Sequence, residues 1–247
     1  LPFDITSILS DNLPAKRLLE AKLPGMPVYQ KICGFNTLVY RTGGRAVISK
    51  KYTITSGATV GFSVISNFLQ QQYRNYQFSP VWDEDSMSKA GLMADDFLIC
   101  LEKGHLIACL AIWDQRAYKQ SVVRGYKKPL SLLRPWINLL APLVGLPHLP
   151  VVGETLRQAW LSHFASAKMD QEMIRNIINM ALYKAREKGL QQVMLGLTDQ
   201  HPLLPIVKKT HRHLNYRSDI YLIHPSEKSS FKWKNIQNPV HIEIATL

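Results

Sequence analysis

The sequence predicts an α/β (α+β) fold, a mixed, largely antiparallel central sheet with helices on both faces. Three observations carry this. The chain's beginning echoes its end, an apolar hairpin lies in the middle, and a long amphipathic helix runs straight into an apolar strand. In the echo, residues 7–40 run S-I-L-S-D-N-L-P-A-K-R-L-L-E and then V-Y-Q-K-I-C-G-F-N-T-L-V-Y, while residues 195–224 run L-G-L-T-D-Q-H-P-L-L-P-I-V-K-K and then H-R-H-L-N-Y-R-S-D-I-Y-L-I-H. Each copy reads as a strand ending in Ser/Thr-Asp-Asn/Gln, a helix and a second strand, the mark of a duplicated unit. Only the second copy has a complete domain in front of it. Residues 1–45 are therefore expected to be the C-terminal half of a first domain, and 46–247 a complete domain with a C-terminal strand extension.

The Gly-rich stretch R-T-G-G-R at 41–45 breaks the chain after the first echo. Residues 46–56 carry alternating β-branched residues and predict a strand. Phe62, Ile65, Leu69, Tyr73 and Tyr76 recur at three- and four-residue spacing, one stripe of a helix. Residues 77–94 read as a loop. F-L-I-C-L and L-I-A-C-L-A-I flank E-K-G-H, a hairpin turning at Gly104, whose unbroken apolar runs predict burial on both faces. A third strand is expected at 118–124. Residues 127–153, rich in Pro, Leu and Gly with Trp136, predict a short helix or lid, and 155–165 another strand. From about 171 to 188 the signal is helical: Asp170 suits the N-cap, Met173, Ile174, Ile177, Ile178, Ala181 and Leu182 form a stripe, and Gly189 can stop the helix in the left-handed region. Residues 190–197 follow as a buried strand, and the final H-I-E-I-A-T-L alternates as one more, at a sheet edge.

Composition narrows the classes. Apolar residues make up 46% of 247, enough for a real core and against global disorder. No apolar run reaches the ~18 residues of a membrane span. Cys33, Cys100 and Cys109 form no C-x-x-C pair and each sits in an apolar run. They read as buried thiols of a reducing cytoplasm rather than a disulfide framework or a nucleophile. H-R-H at 211–213 is the nearest approach to metal-ligand spacing and falls short of it, so no metal is expected. The formal net charge of +12 favours anionic partners: coenzyme phosphates, nucleic acid or anionic lipid. The bias is local. No acidic residue lies between Asp114 and Glu154, whereas Arg116, Lys119, Arg124, Lys127, Lys128 and Arg134 are basic.

This element order, with Asp11-Asn12 and Y-Q-K-I-C-G-F at 29–35 in the first echo and Asp199-Gln200 and Asn215-Tyr216 in the second, resembles the GNAT-type N-acetyltransferase superfamily. The resemblance covers 46–224 as one whole domain and 1–45 as the tail half of another, a tandem arrangement. It implies acetyl-CoA or another acyl-CoA as co-substrate and a small-molecule or peptide amine as acceptor. In the family the coenzyme pyrophosphate sits on a Gly-containing loop at the start of the long central helix, where backbone N–H groups and the helix dipole receive the anion. The corresponding stretch here is Phe164, Ala165, Ser166, Ala167 and Lys168. It has no glycine, and Asp170 adds a negative charge, so it reads either as a degenerate coenzyme site or as an ordinary capped helix start. The family's proton donor, a Tyr before the last strands, maps onto His211, and its strand base onto Glu154. Trp113, Asp114, Gln115 and Arg116, polar groups at the end of a buried strand, can line an acceptor site.

Two other functions compete with acyl transfer. The absent glycines and tyrosine favour a non-catalytic binding protein on the same fold. The charge is compatible with an aminoacyl transferase of the Fem type that uses charged tRNA, although no RNA-binding motif accompanies it. A membrane-surface role for 129–152 ranks last because its prolines oppose a long amphipathic helix.

Overall fold

The computed structural model describes residues 3–144, 148–224 and 238–246. Its strands are β1 (Asp4–Leu9), β2 (Val28–Arg41), β3 (Thr53–Ser56), β4 (Phe97–Glu102), β5 (His105–Trp113), β6 (Gln158–Ser166), β7 (Gln192–Thr198) and β8 (Leu214–His224). Its helices are α1 (Leu13–Glu20), α2 (Gly61–Tyr73), α3 (Glu84–Lys89), α4 (Lys128–Val144), α5 (Gln171–Glu187) and α6 (Leu204–Thr210). All eight strands join one sheet in the order β1-β8-β2-β7-β6-β5-β4-β3, and every neighbouring pair is antiparallel except β6 and β7. The mixed, largely antiparallel sheet expected from the sequence is present.

The echo has a spatial counterpart. β1-α1-β2 and β7-α6-β8 each contribute a second strand that lies beside the other unit's first strand. The β2·β8 register maps onto itself when the copies are exchanged: Gly34 faces Asp219, and the equivalent Asn215 faces Leu38. Asp219 fastens the two units together. It is almost fully buried and takes Lys16 Nζ of α1 at 2.5 Å and Lys31 Nζ of β2 at 2.8 Å, with Ser10 Oγ donating as well. Burial pushes its carboxyl up, but the Lys16 and Lys31 hydrogen bonds outweigh this and hold it below its ordinary value. Asp219→Ala removes the shared acceptor of two lysines that still reach water, so it is expected to lower unfolding stability by about 1 to 2 kcal/mol, read as an earlier urea midpoint at unchanged slope.

Core packing follows the stripes. The buried side of α5 presents Met173, Ile174, Ile177, Ile178 and Ala181 to Leu110, Ile112, Leu161, Val193 and Leu195 on one face of the sheet. Asp170 caps this helix by accepting from Met173 N at 2.9 Å, and Gly189 follows it at φ 73°. On the other face α2 and α3 bury Ile65, Leu69, Tyr73 and Met87 against Phe97, Ile99, Cys109 and Ala111. All three thiols are buried and unpaired, and burial pushes each up to about 12, far from a reactive thiolate.

Several sequence expectations need correcting. Residues 118–124 form no strand: β6 occupies the free edge of β5, and only Val122 makes an isolated bridge, to Thr155. The strand predicted over 46–56 shortens to β3, and the loop 77–94 contains α3. Residues 127–153 contain a full helix of 17 residues despite Pro135 and Pro142. The terminal H-I-E-I-A-T-L is no edge strand. Val240–Ala245 are buried in the interior, ending in a single 3₁₀ turn. Residues 225–237 and 247 of that extension lie outside the described residues.

Candidate functional site

The sheet opens at the one parallel junction among its described strands. β6 and β7 pair from Gln158↔Gln192 to Leu161↔Leu195 and then part. Beyond that point β6 stays with β5, through Ala111↔Ser162 and Cys109↔Ala165, and β7 stays with β2 through Thr37↔Gly196 and Phe35↔Thr198. The divergence has a local cause. The β5·β6 register shifts between Cys109 and Ala111, and opposite that shift His163 adopts φ 53°, a left-handed backbone that twists β6 away. Its backbone N–H is thereby freed from the ladder and aimed into the gap.

The C-terminal segment fills this gap on the α2 face. His163 N donates to Glu243 Oε2 at 2.8 Å, Thr198 Oγ1 to the Val240 carbonyl at 2.6 Å, and Gln115 Nε2 to the Ala245 carbonyl at 2.9 Å. Gln77 pairs with both neighbours of Val240 across the same seam: Gln77 N donates to Pro239 O and His241 N to Gln77 O. Gly196 exists for this contact, since a Cβ there would lie 2.5 Å from Ile244 and 2.6 Å from Phe35.

Around the segment lies a box of histidines and aromatics. His241 stacks on Tyr73 at 4.3 Å between ring centroids, His201 stacks on Tyr76 at 5.1 Å, and His163 sits 4.4 Å from Trp82. Burial drives the imidazoles down, to about 3 for His163 and His241 and about 4 for His201. Burial drives the Glu243 carboxyl up to about 7, against the backbone N–H groups that favour its charged form. Leu203 N donates to His201 Nδ1, so the His201 proton belongs on Nε2.

Beside the box is a cavity of about 300 Å³ lined by Tyr73, Tyr76, Phe164, Ala165, Ser166, Ala167, Met169, His201 and Pro239, among others. Four of the five residues predicted for the coenzyme thus line one hollow. The fifth, Lys168, is not on its lining and pairs with Glu102. The turn from β6 into α5 offers little of a phosphate cradle. Ala167 N already donates to Ile107 O and Lys168 N to Ser166 Oγ, while Asp170, held down to about 2 chiefly by its bond from Met173 N, also takes Lys51.

The remaining candidates lie elsewhere. His211 follows α6; its Nε2 meets Asn179 Oδ1 at 2.8 Å, and it lines a separate cavity with Val144 and Lys208–His213. Glu154 lies in the turn before β6 and accepts from Val151 N at 3.0 Å. Asp114 is engaged by Arg116, at 2.7 Å between Oδ2 and Nη2, while Trp113 is packed in the core 5.7 Å from the His163 ring and Gln115 is buried under Ala245. Of the predicted acceptor residues, Trp113 and Gln115 therefore reach the box, and Asp114 with Arg116 stays outside it. Sequence reading passed over His163, His201, His241 and Glu243. The one signal available was the H-I-E-I alternation, which puts His241 and Glu243 on the same side of an extended segment.

No protein-family model matches the chain, and neither does any curated protein sequence. Solved structures do. A GCN5-related N-acetyltransferase from Sphaerobacter thermophilus superposes with a TM-score of 0.55 at 9% identity, over 89% of this chain and 59% of its own. A GNAT-family acetyltransferase from Colwellia psychrerythraea gives 0.46 at 10%, over 90% and 65%, and a GNAT-family protein from Novosphingobium aromaticivorans gives 0.48 at 7%, over 92% and 76%. The chain spans less than two thirds of the length of the first two. With the one parallel junction among its described strands opening beside the long helix, and with the first of these structures superposing over 89% of this chain, the chain has the fold of the GCN5-related N-acetyltransferases.

Proposed function

We propose that the protein transfers an acyl group from acyl-coenzyme A to an amine. The supporting observation is the cavity beside the divergence of β6 and β7, lined by Phe164, Ala165, Ser166 and Ala167 at the entry to α5. An extended acyl thioester arm fits such a slot, with the anionic end left outside near Lys51 and Lys168. These two cations are shared with Asp170 and Glu102, so they replace the missing amide cradle only in part. His201 presents its imidazole to the cavity, and Glu243, with its proton affinity near neutrality, is buried in the adjoining box against His163 N. Of these groups only His201 lines the hollow, so it is better placed than His211 or Glu154 to exchange the amine's proton.

A second reading has its own support. Val240–Ala245 fill the divergence that an acyl group would enter, as a non-catalytic binding protein would show. Thermal unfolding separates the two. Under the transfer reading, acetyl-CoA at a hundredfold excess over its Kd raises the melting temperature by about 5 to 10 °C, and Ala167→Trp, which fills the cavity mouth, abolishes the shift. No shift in the unsubstituted protein at millimolar coenzyme would decide for the second reading.

A further inference from the structure

α4 turns its apolar side to solvent. Only Ala141 of this helix is buried, whereas Leu132, Leu133, Trp136, Leu139, Leu140 and Leu143 are each 54 to 78% exposed. At about 100° per residue these six fall within one arc roughly 120° wide. The arc opposite carries Arg134, Asn138 and Ala141. That polar side is tied down: Asn138 Nδ2 donates to Leu149 O at 2.8 Å, Asn138 Oδ1 accepts from Leu149 N at 2.7 Å, and Tyr126 Oη donates to Pro150 O. The base of the projection is closed by the bonds Val123 N to Glu154 O, Gly153 N to Val123 O and Leu156 N to Ser121 O. The helix is thus held in place by its back, with its leucines outward and, among the described residues, uncovered.

We propose that α4 is a membrane-surface anchor that lays this stripe into the interface of a bilayer carrying anionic phospholipids. Two features select lipid as the occupant. The first is charge. The segment between Asp114 and Glu154 has no carboxylate, and among the described residues Arg124, Lys127, Lys128 and Arg134 enter no ion pair. Lys208, Lys209 and Arg212 line a cavity with Val144, at the helix's far end. Basic residues therefore stand at both ends of an apolar helix, the pattern that binds anionic headgroups while the stripe enters the acyl boundary. The second feature is the chemistry of the arc. Five leucines and one tryptophan offer a single hydrogen-bonding group, the indole N–H. A protein groove of that size gains specificity from placed polar groups, whereas lipid requires none and tryptophan is favoured at its interface. Among the described residues no helix is long and apolar enough to cross a membrane, so α4 would lie on the bilayer. The proposal stands apart from acyl transfer, because vesicle binding needs no donor.

Sedimentation of the chain with lipid vesicles tests it. Vesicles of phosphatidylcholine with about 30% phosphatidylglycerol are expected to bind about tenfold or more tightly than pure phosphatidylcholine, and salt at about 0.5 M should remove most of that advantage. Leu139→Glu with Leu143→Glu should weaken binding about tenfold or more, and Lys127→Glu with Lys128→Glu and Arg124→Glu should abolish the anionic preference. These positions are exposed, so circular dichroism melts should match the unsubstituted chain, and the comparison of vesicle compositions needs no variant at all. Equal binding to both vesicle types, no binding to either, or full binding by the leucine variant would overturn the proposal. So would a dimer that the leucine variant returns to monomer without any affinity for vesicles, since a second copy would then be the occupant.

Discussion

The box beside the opened sheet is expected to lose about 5 kcal/mol of folding stability when the pH falls from 7 to 4.5, a large part of the total for a domain of this size, and His211, also held down to about 4 by burial, adds to that loss. His163, His201 and His241 are buried and held neutral, titrating at about 3, 4 and 3 against an ordinary value of 6.5. A depressed histidine contributes stability that is present above 6.5 and lost as the pH falls, because the unfolded chain takes up the proton first. Each such group costs about 1.4 kcal/mol per pH unit, so three of them lose about 8 kcal/mol over two units. Among the described residues, Nε2 of His163 and of His241 has no hydrogen-bond partner, so protonation would bury a charge and an unmet donor together. Glu243 works the other way. Its folded value of about 7 lies above its ordinary 4.5, so its contribution is complete below 4.5 and is lost as the pH rises through 7. On acidification it returns about 3 kcal/mol, leaving the net loss of about 5. Urea unfolding at pH 7 and pH 4.5 measures this directly, and a midpoint that does not move would remove the neutral box. Glu243→Gln isolates the opposing group. Its amide oxygen can still accept from His163 N, so the variant should fold, and its acid loss should steepen towards 8 kcal/mol.

The sequence yielded what is local. The stripe of α5, with Asp170 before it and Gly189 after it, is written in consecutive residues, as is the hairpin about Gly104, because caps and turns are decided within a few positions. The echo between 7–40 and 195–224 was equally visible. Its consequence, β2 lying between β7 and β8, was not, because strand order is a long-range choice that neither copy states on its own. The C-terminal H-I-E-I shows the same limit. Alternation reports that two faces differ, not what they meet, and a segment bound for the interior carries the period of an edge strand. α4 failed in the opposite sense. Its prolines argued for a break, yet Pro129 occupies the first turn, where no N–H is needed, and Pro135 and Pro142 are accommodated within a helix whose flank faces water. His163 could not be found from the sequence, because its left-handed backbone follows from a register shift against β5 and not from its neighbours in the chain.

Gly196→Ala is expected to destabilise the protein by about 3 kcal/mol, although it adds only one methyl group. The added carbon would sit 2.5 Å from both Cβ and Cδ1 of Ile244 and 2.6 Å from Phe35 Cζ, so either the C-terminal segment or β2 must move. Phe35 is nearly inaccessible and paired in the ladder through Phe35↔Thr198, which leaves the segment as the element that must yield. Ile244→Ala attacks the same contact by deletion and should cost about 2 to 4 kcal/mol, the transfer free energy of the lost carbons plus that of the cavity they leave. Because both variants loosen the residues that fill the divergence of β6 and β7, they also probe what the divergence is for. If the slot receives an acyl group, the segment and the donor compete for it. Ile244→Ala should then show a larger acetyl-CoA-dependent rise in melting temperature than the unsubstituted chain, even as its melting temperature without coenzyme falls. An equal fall with no added coenzyme response in either variant would mean that the segment is simply core, and that a wall of side chains stands where a transferase keeps its reactive thioester.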